Sequence, residues 1–278
     1  MSGKVKLVII DPQNDFCNPK DQHFAPKGSL YVPGADEDMK RLGGMVRKLG
    51  NRINEISVTF DSHHDLDVAH PIFWRNSEGK HPDWYQVITE DDVVNGVWFP
   101  TLPGIHVRNR MVEYVRSLQA NGRYELRIWP PHCIIGTPGQ NIYQDLLVPL
   151  REWCTKYYRT ITPVTKGSNL WTEHYSAVKA EVPDPEDPTT QINTRFVQDF
   201  ADDDISDILL AGEALSHCVA STFRDLVEAF GNNDIIKKMV LLTDACSNVP
   251  GCESYGEQFV KDFVALGMRQ TTTDDYLA

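Results

Sequence analysis

The sequence predicts an α/β protein: a three-layer αβα fold around a mainly parallel, doubly wound sheet. Three observations carry that expectation. Short β-rich apolar runs alternate with helical patterns along the 278 residues, as in a parallel sheet flanked by helices. The opening run VKLVII (5–10) is apolar almost throughout, as expected of a strand buried on both faces. Several runs also end on a charged or reactive residue, at the strand ends where open α/β sheets hold ligands.

The first strand is placed near 5–10 and stops at Asp11. A helix follows around 36–49, with Met39, Leu42, Met45, Val46 and Leu49 on one face. A second strand near 55–60 ends on Asp61 and His63. Residues two apart on an extended chain point the same way, so this carboxylate and imidazole can share one ion. Residues 71–128, rich in Trp, Pro, Gly and charge, read as an insertion near the sheet edge rather than core. Within them a helix at 106–120 carries Val107, Met111, Tyr114, Val115 and Leu118, and Asn121-Gly122 caps it. A strand candidate follows at 124–129, and another at 157–165 delivers Lys166. The stretch 181–191 reads as an acidic, proline-rich exposed loop.

The run at 207–211 breaks at Gly212, and Cys218 opens a helical pattern of Val219, Phe223, Leu226, Val227 and Phe230. A thiol on a first helical turn faces unpaired N–H groups and the positive dipole end, and both favour thiolate. A strand near 238–243, a helix at 254–266 and a short run at 267–273 complete the pattern. Four strand-like runs thus bring Asp11, Asp61 with His63, Lys166 and Cys218 to one sheet edge. No internal repeat is visible, and the expectation is one domain over 1–278 with two elaborations.

Composition narrows the function. A formal charge of −12 argues against nucleic acid and anionic membranes, which need clustered Lys and Arg. No apolar run approaches the roughly 20 residues of a membrane span, and the opening residues do not read as a signal peptide. The six cysteines (17, 133, 154, 218, 246, 252) contain no Cys-x-x-Cys pair, so neither a zinc knuckle nor a disulfide framework is expected. The implied compartment is reducing and cytoplasmic.

Five blocks in order carry a family resemblance: DPQNDFC (11–17) with GSLYVPGA (28–35), FDSH (60–63), WPPHCIIGTPG (129–139), TKGS (165–168) and AGEALSHCVAST (211–222). They resemble the nicotinamidase branch of the isochorismatase-like cysteine hydrolases. That resemblance implies Cys218 as nucleophile, Asp11 as general base and Lys166 as third member. It implies an oxyanion hole from the backbone N–H groups of Ala214 and Cys218, with a cis peptide at Glu213–Ala214. It also implies a divalent ion (zinc, iron or manganese) on Asp61, His63 and His132, with His70 a further candidate ligand. Phe16 and Trp129 would flank the ring of a small-molecule amide substrate. The chemistry agrees: a carboxylate can take the thiol proton and return it to ammonia, and a lysine steadies both anions. His64 and His81 read as surface residues, and Cys133 as packing.

Two departures from the resemblance stand out. The connection from His70 to Trp129 is far longer than in compact nicotinamidases, offering a lid, a homo-oligomer contact or a reshaped pocket. Leu215 and Ser216 stand where a threonine-aspartate pair is typical. Competing readings are a carbamoyl or ureido amidohydrolase that needs no ring-directed metal, and a catalytically silent binding protein.

Overall fold

A computed structural model describes residues 3–23 and 25–277. Six strands form one sheet: β1 (Lys4–Ile10), β2 (Ile53–Asp61), β3 (Thr162–Lys166), β4 (Ile205–Gly212), β5 (Met239–Leu242) and β6 (Arg269–Thr271). All neighbours are parallel, in the spatial order β3-β2-β1-β4-β5-β6. Parallel strands require crossovers, and right-handed ones place helices on both faces. The five longer helices are α1 (Ala35–Leu49), α2 (Ile105–Asn121), α3 (Gln144–Tyr157), α4 (Ala220–Phe230) and α5 (Glu253–Ala265). Helices α1 and α3 pack on one another, as do α4 and α5. The result is the expected three-layer αβα fold. Among the described residues, no helix is long and apolar enough to cross a membrane.

Strands are added outward on one side of β1 up to β3 and on its other side from β4, so the carboxyl ends of β1 and β4 form a switch point, where such sheets bind ligands. β1 is central, and Leu7, Val8, Ile9 and Ile10 are fully buried, each contributing roughly 1.5–3 kcal/mol by burial. Register does the rest. Ile10 pairs with Gly212 and Asp61 pairs with Lys166, which levels β1 with β4 and β2 with β3. Gly212 has φ 115°, and a Cβ there would lie 2.0 Å from the Ile10 carbonyl oxygen. Only glycine lets the two strands meet so closely.

Three expectations need correction. Residues 124–129 are not a strand of the central sheet. Only Leu126–Arg127 is extended, paired antiparallel with Val87–Ile88. The run at 157–165 is shorter than expected: Tyr157 closes α3, Tyr158 turns left-handed, and the strand starts at Thr162. Helix α3 itself was missed, because Pro149 lies inside it and reads as a helix breaker. Gly43 of α1 fits against Pro149 and the Asp145 carbonyl, where a Cβ would meet both within 3 Å. Finally, 71–128 is not peripheral. Phe73, Trp74, Ile88, Met111 and Val115 are fully buried and join the main core.

The 181–191 loop is exposed only in part: Glu181 and Thr190 are buried. Burial pushes the Glu181 carboxyl up from 4.5 to about 7, with Arg123 opposing and Asp225 adding to the rise. The folded chain therefore holds a proton that the unfolded chain releases. Stability from this group is present below about pH 4.5 and is lost as pH rises to about 7. Glu181→Gln should flatten the fall in urea midpoint across that window and raise the midpoint at mildly alkaline pH. An unchanged slope would show that Glu181 ionises normally.

Candidate active site

Each chemically active side chain stands just beyond a strand end. Asp11 follows β1 and has φ 44°, a left-handed conformation costly for a residue with a Cβ. Thr59 holds it there: its hydroxyl accepts from the Asp11 N–H at 2.9 Å and donates to Oδ1 at 2.5 Å. Lys166 ends β3, and its ammonium lies 2.9 Å from Asp11 Oδ2 and 3.1 Å from Asp61 Oδ1. It also donates to the His174 carbonyl at 3.0 Å and faces Cys218 Sγ at 3.6 Å. Gly167 follows, with φ 88°, and a Cβ there would meet Asp61 Oδ1 at 2.7 Å. Asp11, Lys166 and Cys218 are brought together.

Cys218 is not on a regular first helical turn. It lies in a π-turn, Leu215–Val219, ahead of α4. Burial pushes its thiol well above the usual range, Lys166 opposes, and Asp11 and Asp61 add to the rise. Desolvation and the two carboxylates thus work against the thiolate that a helix start favours. Burial likewise raises Asp11, against the pull of Lys166. Burial would lower Lys166, but Asp11 and Asp61 hold it protonated. The Glu213–Ala214 peptide is cis, and the Ala214 carbonyl accepts from the Val219 N–H at 3.2 Å.

Beside the thiol lies a second cluster. One donor atom each from Asp61, His63 and His132 falls within 4.8 Å of the others. His63 Nε2 is 3.0 Å and His132 Nε2 3.5 Å from Asp61 Oδ2. The opposite ring nitrogens are tied down: His63 Nδ1 to Asp67 at 2.9 Å, His132 Nδ1 to the Pro130 carbonyl at 2.8 Å. An acceptor on Nδ1 holds a proton there, so Nε2 is the nitrogen that each ring offers to a cation. His63 Nε2 and His70 Nε2 are buried without hydrogen-bond partners. His70 borders the cluster, its ring 5.3 Å from His63 and 5.6 Å from His132. Burial would raise Asp61, but His63 and Lys166 draw its carboxyl well below the usual range. Of three buried carboxylates here, Asp11 and Asp61 share the Lys166 ammonium, and Asp67 pairs with His63. This donor set fits a divalent cation.

Phe16 meets His132 edge-on at 5.4 Å. Trp129 meets His217, the neighbour of Cys218, edge-on at 5.5 Å, and its N–H donates to the Tyr175 hydroxyl at 3.1 Å. Phe16 thus borders the histidines and Trp129 the nucleophile's turn. From the insertion, Tyr85 meets Trp129 edge-on at 6.0 Å. His64 and His81 are exposed. Cys133 is buried packing, but its backbone is left-handed rather than extended, and its N–H donates to Asp15.

Sequence reasoning missed the supports. Gln13 pairs its amide with both backbone groups of Asp61, at 2.7 and 2.8 Å. Thr59 and Asp67 were also missed. Asp67, four residues after His63, was the one with a readable signal.

No family model matches the chain, and no curated relative does. Solved structures do. A nicotinamidase/pyrazinamidase of Acinetobacter baumanii aligns over 99% of this chain and 98% of its own, with TM-score 0.61 and 20% identity. The yeast nicotinamidase bound to the inhibitor nicotinaldehyde aligns over 96% and 99%, with TM-score 0.61 and 18% identity. The pyrazinamidase of Pyrococcus horikoshii in complex with zinc aligns over 97% and 99%, with TM-score 0.52 and 15% identity. The chain has the fold of these enzymes.

Lys166→Met should destabilise the protein by roughly 3–5 kcal/mol in urea unfolding, because it strands buried carboxylates without their cation. Adding Asp11→Asn should recover part of that loss. Fully additive losses would mean that the two side chains share no charge.

Proposed function

We propose that this protein is a cysteine amidohydrolase that converts nicotinamide to nicotinate and ammonia. One observation carries the reading: a buried Asp11–Lys166–Cys218 set adjoins a cation-ready Asp61, His63 and His132 cluster at one sheet edge. The shared fold with nicotinamidases supports it.

In this mechanism Asp11 takes the Cys218 proton as the sulfur attacks the amide carbon. A thiol that is neutral at rest suits that order, since desolvation by substrate would otherwise strand a bare thiolate. The new oxyanion would be received by the Ala214 and Cys218 N–H groups. Asp11 then passes its proton to the departing nitrogen, and ammonia leaves behind a thioester. Asp11 next draws a proton from water, whose oxygen displaces the sulfur, giving the acid and restoring the thiol. Lys166 stays charged throughout and steadies whichever neighbour is anionic.

Asp61, His63 and His132 would hold a divalent ion, with His70 adjoining, and zinc is favoured by the zinc complex of the Pyrococcus enzyme. Such an ion supplies a Lewis-acidic point for a ring nitrogen. Phe16 and Trp129 would bracket the flat ring.

Ammonia release from nicotinamide, pyrazinamide and aliphatic amides tests the reading. Nicotinamide should be turned over best, and Cys218→Ala should abolish turnover with the fold and metal content unchanged. An active Cys218→Ala variant would sink it. Chelation should weaken binding of pyridine amides more than that of benzamide, which lacks the ring nitrogen. Equal weakening would remove the ring-directed role of the ion. Full activity without any metal would instead favour a carbamoyl or ureido substrate.

A further inference from the structure

The last residues of the 71–128 insertion and those just after it reach the nucleophile's turn. The Tyr124 hydroxyl lies 3.0 Å from the Ser216 carbonyl oxygen and 3.1 Å from Ser221 Oγ. A phenol has one proton and a carbonyl can only accept. Tyr124 therefore donates to Ser216, and Ser221 donates to Tyr124. Burial pushes this phenol up, so it remains a donor at any working pH. Its ring also stacks on His217, with centroids 5.1 Å apart and planes within 17°. Ser216 and His217 are the two residues immediately before Cys218.

The preceding residue grips the same helix. Arg123 donates to Asp225 of α4 at 2.7 Å, and that carboxylate is buried. Two consecutive residues, 92 and 102 positions from their partners, thus tie the turn and the middle of the helix that follows it. A π-turn is a rare, single-turn departure from the α-helical ladder, frequent at functional sites. Leu215–Val219 is such a turn, and an external donor on its Ser216 carbonyl fixes how it is seated.

We propose that Tyr124 is a positioning residue for the nucleophile, acting through the Ser216 backbone to hold Cys218 Sγ opposite Lys166. The proposal rests on Cys218 being the nucleophile and extends that reading to a residue outside the resemblance blocks. The 71–128 segment then serves as a scaffold for the thiol as well as a wall near Trp129.

Tyr124→Phe tests it, because the ring and its stacking remain while the hydrogen bonds go. With nicotinamide and pyrazinamide as probes, kcat should fall about ten- to a hundredfold, the scale of a misplacement near 1 Å. KM and metal content should hold, and the factor should be the same for both amides. Ser221→Ala spares the carbonyl contact and should change kcat less than about twofold, by the same geometric argument. A KM effect that differs between the amides would make Tyr124 a pocket wall and overturn the proposal. So would a lowered Tm with kcat of the folded enzyme unchanged. If neither amide is turned over, the functional reading fails separately, and iodoacetamide labelling of Cys218 decides. Tyr124→Phe should then label several-fold faster, as a loosened turn opens a buried thiol, and an unchanged rate overturns the proposal.

Discussion

One ammonium organises this protein's chemistry. Lys166 is buried, and its charge is compensated by Asp11 on one side and Asp61 on the other. Burying any of the three alone would be prohibitive, and together they are tolerable only in good geometry. That demand reaches outward. It requires β2 and β3 to end level, which the Asp61–Lys166 register provides. It requires glycine after Lys166 and a threonine to hold a left-handed aspartate. The lysine is also the shared wall between two sites, one side turned to the thiol and the other to the histidines.

This sharing gives the site its electrostatic balance. Asp61 is drawn down by His63 and Lys166, while burial leaves Asp11 raised. Two carboxylates on one lysine are thereby held in different electrostatic states, as the proposed roles of ligand and proton carrier require. Divergent environments for paired acids are how a single pocket supports both roles at neutral pH.

Much of this was legible in the sequence, and the rest was illegible for physical reasons. Asp11, Asp61, Lys166 and Cys218 were readable because each follows a run whose apolar pattern stops abruptly. The three-layer fold followed from the same runs. Helix α3 was hidden by Pro149, whose accommodation depends on Gly43 of a distant helix. The short pairing at Leu126–Arg127 depends on Val87–Ile88, a contact that no local pattern announces. Gln13, Thr59 and Tyr124 act through hydrogen bonds to backbone or carboxylate groups far away in sequence. Such residues carry no periodic signature. The thiol's surroundings were only half legible: a helix start is visible in sequence, but desolvation is not.

The central position of β1 also shapes how the chain must assemble. Its β2 edge can pair as soon as residues 53–61 exist, but its other edge waits for residues 205–212. Until β4 is made, then, a central, largely apolar strand presents an open row of N–H and C=O groups, the kind of edge that recruits neighbouring chains. The closing strand is the one that leads into Cys218. Sealing the aggregation-prone edge and bringing Cys218 beside Lys166 are thus the same late event, and a ribosome-bound fragment lacking β4 has neither.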